Sequence, residues 1–490
     1  MAERLSAREA IAAVVGEGEG EGEPAGEGAL AGGAALAGEG GAFTELPVPE
    51  GEFALDGPLG WEGYDAARAR AEERTGERES VVCGTGRIGA TEVVLISFEF
   101  GFLGGSLGER TGDRLEAAYS LARERRLPVV SLIATGGSRM QEGMRALLQL
   151  QRVARQSALT RAAGLPQLAV VRDPTTGGGW ATLGAGADVV LALPGAQIGF
   201  AGSRVRPADA DPYAYTAEAQ LARGHIDAVV HQGELRATVG RWLTLLTGGG
   251  AGVRDTAPAP APPPHGLGRG ELPVTGWDAV ARARSPERPR AEAYLDAYFT
   301  EREAIVGDRC GGTDPGMLCG FGRHGGRTVA YAAQCGTPTL PSGYRTAVRL
   351  IRLAGRLGIP VLTLVDTPGA ANDAEAERGG AGAAIADLFA AVATAPVPLT
   401  TLLIGEGGSG GALALSAPDN TWATHDSYFS VIAPELATAI LKRAPDETRA
   451  TADQLRLRPQ DLVSLGVVRG IVPLGPLGPL GPLGPLGPPG

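Results

Sequence analysis

The chain has 490 residues, a net charge of −11 and a hydrophobic fraction of 43%. That is apolar enough for large cores, and the acidic balance argues against a nucleic-acid surface, a local basic patch aside. The four cysteines (Cys83, Cys310, Cys319, Cys335) form no CxxC pair, so neither a disulfide framework nor a zinc ribbon is indicated and no metal is expected. The start, Met1-Ala2-Glu3-Arg4-Leu5, lacks a signal-peptide apolar core, and no apolar run reaches spanning length. A cytoplasmic protein away from the membrane is expected.

In chain order, residues 1–15 can form a short helix, and 16–41 are almost entirely Gly, Glu and Ala. Such a composition cannot offset its ordering entropy, so 1–50 is expected as a disordered Gly/Glu/Ala-rich segment. A first domain is expected over 51–247. Its pattern predicts a helix at 64–73, strands at 81–87 and 92–98, and a glycine-rich loop at 101–108. A helix at 114–126 and a strand at 128–134 follow, then a second glycine loop at 136–143. A helix at 144–163, a strand at 168–171, the turn 173–179 and a strand at 188–192 complete the pattern. Alternation of this kind predicts parallel sheet under helical cover. Residues 248–270 read as a Pro/Gly-rich linker, extended and semi-rigid.

The second domain, 271–473, repeats the plan. A helix at 350–357, a strand at 361–365, a helix at 383–394, a strand at 398–404 and a strand at 428–432 are predicted. The tail, 474–490, repeats Gly-Pro-Leu too few times for collagen and reads as disordered. Removing 1–45 and 475–490 is expected to leave fold and activity intact.

An offset of 232 carries Pro128 to Pro360, Gly137 to Gly369, Pro166 to Pro398, Gly178 to Gly410 and Gly179 to Gly411. It holds without a gap from Leu121 to Gly179, which marks an internal duplication. In each copy two strands end in glycine turns: Gly136-Gly137 with Gly177-Gly178, and Gly369-Ala370 with Gly410-Gly411. Strand ends along one edge of a parallel sheet come close in space. Bare backbone N–H groups at a helix N-terminus suit a carbonyl oxygen that becomes an oxyanion. Glycine for packing alone is the plain alternative.

These residues resemble the carboxyltransferase component of acetyl-CoA/acyl-CoA carboxylase, with beta-like and alpha-like halves fused. Gly136 to Gly143, Asp173 to Gly178 and Gly199-Phe200-Ala201-Gly202 are similar to the beta signatures. Trp277 to Arg290, Gly343-Tyr344-Arg345, Asp366 to Ala370, Gly405 to Gly411 and Ser430 to Glu435 are similar to the alpha ones. The resemblance covers about 60–245 and 275–472. It implies an α/β fold of two tandem crotonase (ClpP-like) superhelical domains.

It also implies transfer of a carboxyl group from carboxybiotin to the α carbon of a coenzyme A thioester, with no covalently bound cofactor. The implied partners are a biotin carboxyl carrier protein, a biotin carboxylase and further copies of the chain. By resemblance Gly177 and Gly178 hold the thioester oxygen and Gly410 and Gly411 the biotin carbonyl. Gly136/Gly137 and Gly369/Ala370 are then the second donors. No histidine stands in a motif, and decarboxylated biotin can itself take the α proton. Arg139, Gly202 and Arg204 on one side, and Tyr344 and Arg345 on the other, are substrate-binding candidates. A salt bridge that holds the loop is the alternative for the arginines. Glu142 and Glu406 read as loop-capping carboxylates.

Three features depart from the family pattern. The paired CxxC motifs of many beta subunits are replaced by Gly/Glu repeats. Gly179-Trp180 stands where Val-Ser is usual, so an indole either narrows the acyl pocket or packs in the core. Ser138 and Ser203 stand where Ala and Pro are usual. Two other readings stay open at this level: a crotonase-fold decarboxylase or thioester hydrolase, and a non-catalytic scaffold subunit.

Overall fold

Runs of Val, Ile, Leu and Ala between glycine-rich breaks form strands buried on both faces, as a parallel sheet covered by helices demands. The computed structural model describes residues 4–15, 43–47, 54–248, 257–268 and 270–475. The glycine/glutamate run at 16–42 and the Gly-Pro-Leu repeats from 476 onward lie outside these residues.

The first half holds β1 (Thr44–Glu45), β2 (Val81–Ile88), β3 (Thr91–Phe98), β4 (Val129–Thr135), β5 (Gln167–Thr176), β6 (Val189–Ala192), β7 (Ile198–Gly199) and β8 (Ala228–Val229). They form one sheet in the order β1-β2-β3-β4-β5-β6-β8, with β7 beside the end of β5. The β2–β3 hairpin is antiparallel and the strands from β3 onward are parallel. The second half holds β9 (Glu301–Ile305), β10 (Met317–His324), β11 (Arg327–Gln334), β12 (Val361–Thr367), β13 (Leu399–Gly408), β14 (Thr421–Ala423), β15 (Tyr428–Ser430) and β16 (Gly470–Ile471). Its order is β9-β10-β11-β12-β13-β14-β16, with β15 beside β13.

The duplication is therefore structural. Strands β12 and β13 begin 232 residues after β4 and β5, and the helix Pro341–Leu357 begins 232 after Glu109–Arg125. Even the irregularity is copied: pairing slips between Ile133 and Thr135 on β4, and between Val365 and Thr367 on β12. Each slip lies just before the glycines.

Two expectations change. Residues Ala7–Val15 form a helix, α1, that is part of the core rather than of a disordered segment. Ala7, Ala10, Ile11, Val14 and Val15 are buried in an apolar cluster that also contains Val82, Leu95, Trp242 and Phe321. The nine residues are too few to be helical alone, so packing makes this helix. Its start is tied to strand ends: Ala7 N–H donates to Glu99 at 2.7 Å, and Ser97 Oγ donates to Ala7 O at 2.9 Å. Arg172, buried at the root of the β5 turn, donates to Leu5 O at 3.1 Å. Removing 1–45 would strip these contacts. Phe43 also packs on Gly84 beside β1, which extends the sheet.

The proline-rich stretch behaves as a strap on the second half. Thr400 Oγ1 donates to Ala261 O at 2.7 Å, and Tyr298 Oη donates to Pro262 O at 2.9 Å. Gly266 pairs with Leu474, so the first tail residue is ordered against the strap. Between the halves, buried Asp227 accepts from Arg309 at 2.5 Å and Arg349 at 3.0 Å, and Arg356 reaches Asp188 at 2.5 Å. Among the described residues no helix is long and apolar enough to cross a membrane.

Candidate active site

Each glycine turn is built by one strand end laid over another. Thr135 at the end of β4 pairs with Thr175 on β5, and Thr367 pairs with Gly407 on β13. The chain then needs left-handed backbone: φ is +112° at Gly137 and +141° at Gly369. Gly177 (+66°) and its counterpart Ser409 (+56°) repeat this at the second strand. In both copies the threonine hydroxyl braces the turn, accepting from Gly137 N–H or Gly369 N–H at 3.1 Å. A β-carbon built on Gly177 would lie 3.1 Å from Gly137 Cα, and one on Gly369 would lie 3.5 Å from Gly408 O. The paired turns thus meet, and a short helical turn starts from each: Gly177–Gly179 and Ser409–Leu413.

Which N–H groups remain free differs from the expectation. Gly136 N–H donates to Gly104 O at 2.9 Å and Gly177 N–H to Phe200 O at 3.1 Å. Neither can also serve a ligand. Gly178 and Gly410 are the second residues of their helical turns, where a helix supplies no acceptor. Ser138 and Ala370 N–H groups donate to no described residue. The N–H groups left without a described acceptor at matched positions are therefore those of Ser138 and Gly178, and of Ala370 and Gly410. Gly137 and Gly369 shape the turns. Gly411 is a packing glycine, since a β-carbon there would lie 2.9 Å from Gly369 C. Its carbonyl accepts from Tyr344 Oη at 3.2 Å and Gln334 Nε2 at 3.3 Å.

The two sets differ in cover. Gly178 is buried and a β-carbon there would lie 2.9 Å from Leu150 Cγ. Gly410 is exposed, with nothing within 4 Å of the same position.

Most of the charged candidates brace the turns. Arg139 is 1% exposed and forms a salt bridge with Glu79, itself fully buried. It also donates to Tyr64 Oη at 3.2 Å and Ser106 O at 2.7 Å, and lies 3.4 Å from Glu142. Burial alone would raise Glu79, but the Arg139 guanidinium outweighs it and holds the carboxyl at about 2. Arg139 is thus a loop brace, not a ligand for a phosphate. Tyr344 is buried behind Gly411. Arg345 is paired with Asp308, its Nε donating at 2.7 Å. Gly202 lies beside the first turn, its built β-carbon 3.5 Å from Thr176 Oγ1, and Arg204 is exposed. Buried Asp366 accepts from Arg288 at 2.5 Å, from Arg290 at 3.2 Å and from Glu406 N–H at 3.1 Å, which fixes the root of the second turn. Glu406 in turn accepts from Arg284 at 2.8 Å and Tyr428 Oη at 2.7 Å, so it caps rather than reacts.

Residues 57–239 match the family described as the carboxyl transferase domain, and 272–479 match the acetyl co-enzyme A carboxylase carboxyltransferase-like family. The chain is 38% identical over 432 residues to the acetyl-coenzyme A carboxylase carboxyl transferase subunits beta/alpha of Saccharopolyspora erythraea, covering 84% of this chain and 74% of that protein. The chain belongs to the carboxyltransferases of biotin-dependent acyl-CoA carboxylases.

The probable biotin-dependent acyl-coenzyme A carboxylase beta3 subunit of Mycobacterium bovis is 35% identical, covering 84% of this chain and 83% of that one. In fold the carboxyltransferase is similar to transcarboxylase 12S, at a TM-score of 0.73 and 19% identity over 96% of this chain and 87% of that one. That protein is described as a hexamer with hydrolysed methylmalonyl-coenzyme A bound. The crotonase-like pair of domains implied by the sequence is the fold observed. Sequence reading did not single out the unpaired Ser138 N–H, although the offset of 232 carries Ser138 to Ala370. It also missed Glu79, Asp308 and Asp366, whose roles rest on partners tens of residues away.

Proposed function

We propose that the chain transfers a carboxyl group from carboxybiotin to acetyl-CoA, giving malonyl-CoA, with one glycine turn for each substrate. The observation that carries this reading is the duplicated pair of braced turns, each presenting the unpaired N–H of a loop residue, Ser138 or Ala370, and that of a helix-start residue, Gly178 or Gly410. Ser138 and Gly178 hold the thioester oxygen as the α carbon loses its proton, and Ala370 and Gly410 hold the ureido oxygen. Carboxybiotin, delivered by a biotin carboxyl carrier protein and charged by a biotin carboxylase, supplies the carboxyl group. Donors fixed before reaction are worth most where charge develops, and these are fixed by Thr135, Thr367 and the buried Asp366.

Large apolar side chains stand exposed near both turns: Met140, Met144 and Phe200 on one side, Val431, Leu436 and Ile440 on the other. Apolar patches of this kind mark interfaces. A second copy placing its second half against the first half of this one would cover both. Transfer from malonyl-CoA to a soluble biotin derivative tests the reaction, with methylmalonyl-CoA as competitor. Faster release from methylmalonyl-CoA would move the assignment to a longer acyl group. An active monomer in sedimentation would refute the paired arrangement.

A further inference from the structure

The two turns arise from one ancestral unit, yet they are not equally open. Helix α2 spans Tyr64–Thr75, α3 spans Glu109–Arg125 and α4 spans Gly143–Ala162. Helix α4 follows the loop that carries Gly137 and Ser138 and precedes β5, which ends at the turn that carries Gly178. From this helix Leu150 reaches Gly178, and it is only partly buried. The offset that carries Gly178 to Gly410 carries Leu150 to Gly382, on the helix Ala381–Ala393. Gly382 is exposed and has nothing within 4 Å of a built β-carbon. One position thus carries a four-carbon side chain set against Gly178 in the first half and no side chain in the second. The cover differs in the same sense: Gly178 is buried and Gly410 is exposed.

We propose that Leu150 sizes the acyl end of the first site, and that the absence of a side chain at Gly382 leaves the second site wide enough for a fused ring. This rests on the reading of the two turns given above. The isobutyl group fills the space into which carbons beyond the acyl α carbon would extend, so it selects short thioesters by exclusion. Trp180 and Leu150 pack on the same apolar cluster, and the half-buried indole lies against Gly184, whose built β-carbon would be 2.8 Å from Trp180 Cζ3. Gly184 thus gives the ring its room within the turn Trp180–Gly184. An apolar wall discriminates by about 10–200-fold per methylene.

Two variants of the full-length chain test this in the carboxyl-transfer assay. Leu150→Ala should raise kcat/KM for butyryl-CoA relative to acetyl-CoA by about tenfold or more, mainly through KM. Gly382→Leu should cut the acyl-CoA-independent decarboxylation of carboxybiotin at least about tenfold and leave acetyl-CoA affinity unchanged. An unchanged butyryl-to-acetyl ratio in a folded Leu150→Ala variant would overturn the proposal, because a mere packing residue alters stability and not the ratio. If that variant does not fold, Leu150→Val removes one methylene and should shift the same ratio in the same direction. Wild-type activity separates the two ideas. No transfer by the wild type sinks the parent reading, whereas normal transfer with an unmoved ratio sinks only the role of Leu150.

Discussion

A valine at position 410 is the sharper probe of the glycine turns. Gly410 is exposed, has no positive φ and has open space where a β-carbon would go. Gly410→Val should therefore fold normally while its branched side chain blocks approach to the N–H. Losing an oxyanion donor costs ~10²–10³ in turnover, and carboxybiotin decarboxylation should fall by that much while acyl-CoA binding persists. Equilibrium binding beside single-turnover decarboxylation would show it; a joint loss of both would refute the two-site division. Gly178→Val is a blunter probe, since its side chain would first have to displace Leu150. The Arg139–Glu79 pair makes a second prediction, about pH. The native Glu79 carboxyl lies near 2 against an ordinary 4.5, so the pair's contribution is complete above about 4.5 and is lost as pH falls toward 2. Arg139→Gln leaves Glu79 buried without its cation, at a cost of about 3–5 kcal/mol at neutral pH. Burial then raises the Glu79 carboxyl, and the variant should gain stability as pH falls from 7 to 5. Thermal melts at the two pH values check the sign.

Among the elements, α1 decides whether the N-terminal segment can be trimmed. It buries Ile11, Val14 and Val15, each worth about 1.5–3 kcal/mol when fully removed from water. Deleting residues 1–15 should lower the melting temperature by roughly 10 °C, whereas a deletion confined to 16–42 should not. Equal melting of both truncations with the full chain would overturn this. The strands that carry the turns were legible because runs such as Val129 to Ala134 and Leu399 to Ile404 are apolar without alternation, the mark of burial on both faces. The turns were legible because glycine recurs at a constant offset. A short helix within 1–15 was legible, but its place in the core was not, because an Ala-rich nine-residue segment owes its order to Trp242 and Leu95, distant in sequence. Nor was the occupancy of individual N–H groups. Whether Gly136 or Gly177 is free depends on the carbonyls of Gly104 and Phe200, and no local pattern announces those partners.

At the scale of the whole molecule, the halves meet through a shared apolar core and a set of buried ion pairs. The aromatic contact Trp242–Phe321, with ring centroids 6.4 Å apart, joins the last helix of one to a strand of the other. Asp227 is held below the usual carboxylate range: burial alone would raise it, and Arg309 and Arg349 more than compensate. Gly266 and Leu474 lie side by side, with Gly266 N–H donating to Pro473 O at 2.9 Å and Gly475 N–H to Gly266 O at 3.0 Å. The second half therefore enters and leaves at one place, as a clasp closed on itself. A protease site inserted between Gly248 and Ala257 should, once cut, leave two fragments that migrate together in gel filtration and retain transfer. Separation of intact fragments would show that the interface needs the tether. If they stay together, the peptide link serves stoichiometry alone. It guarantees one first half for every second half at synthesis, while their mutual recognition is written in Asp227, Asp188 and the three arginines that face them.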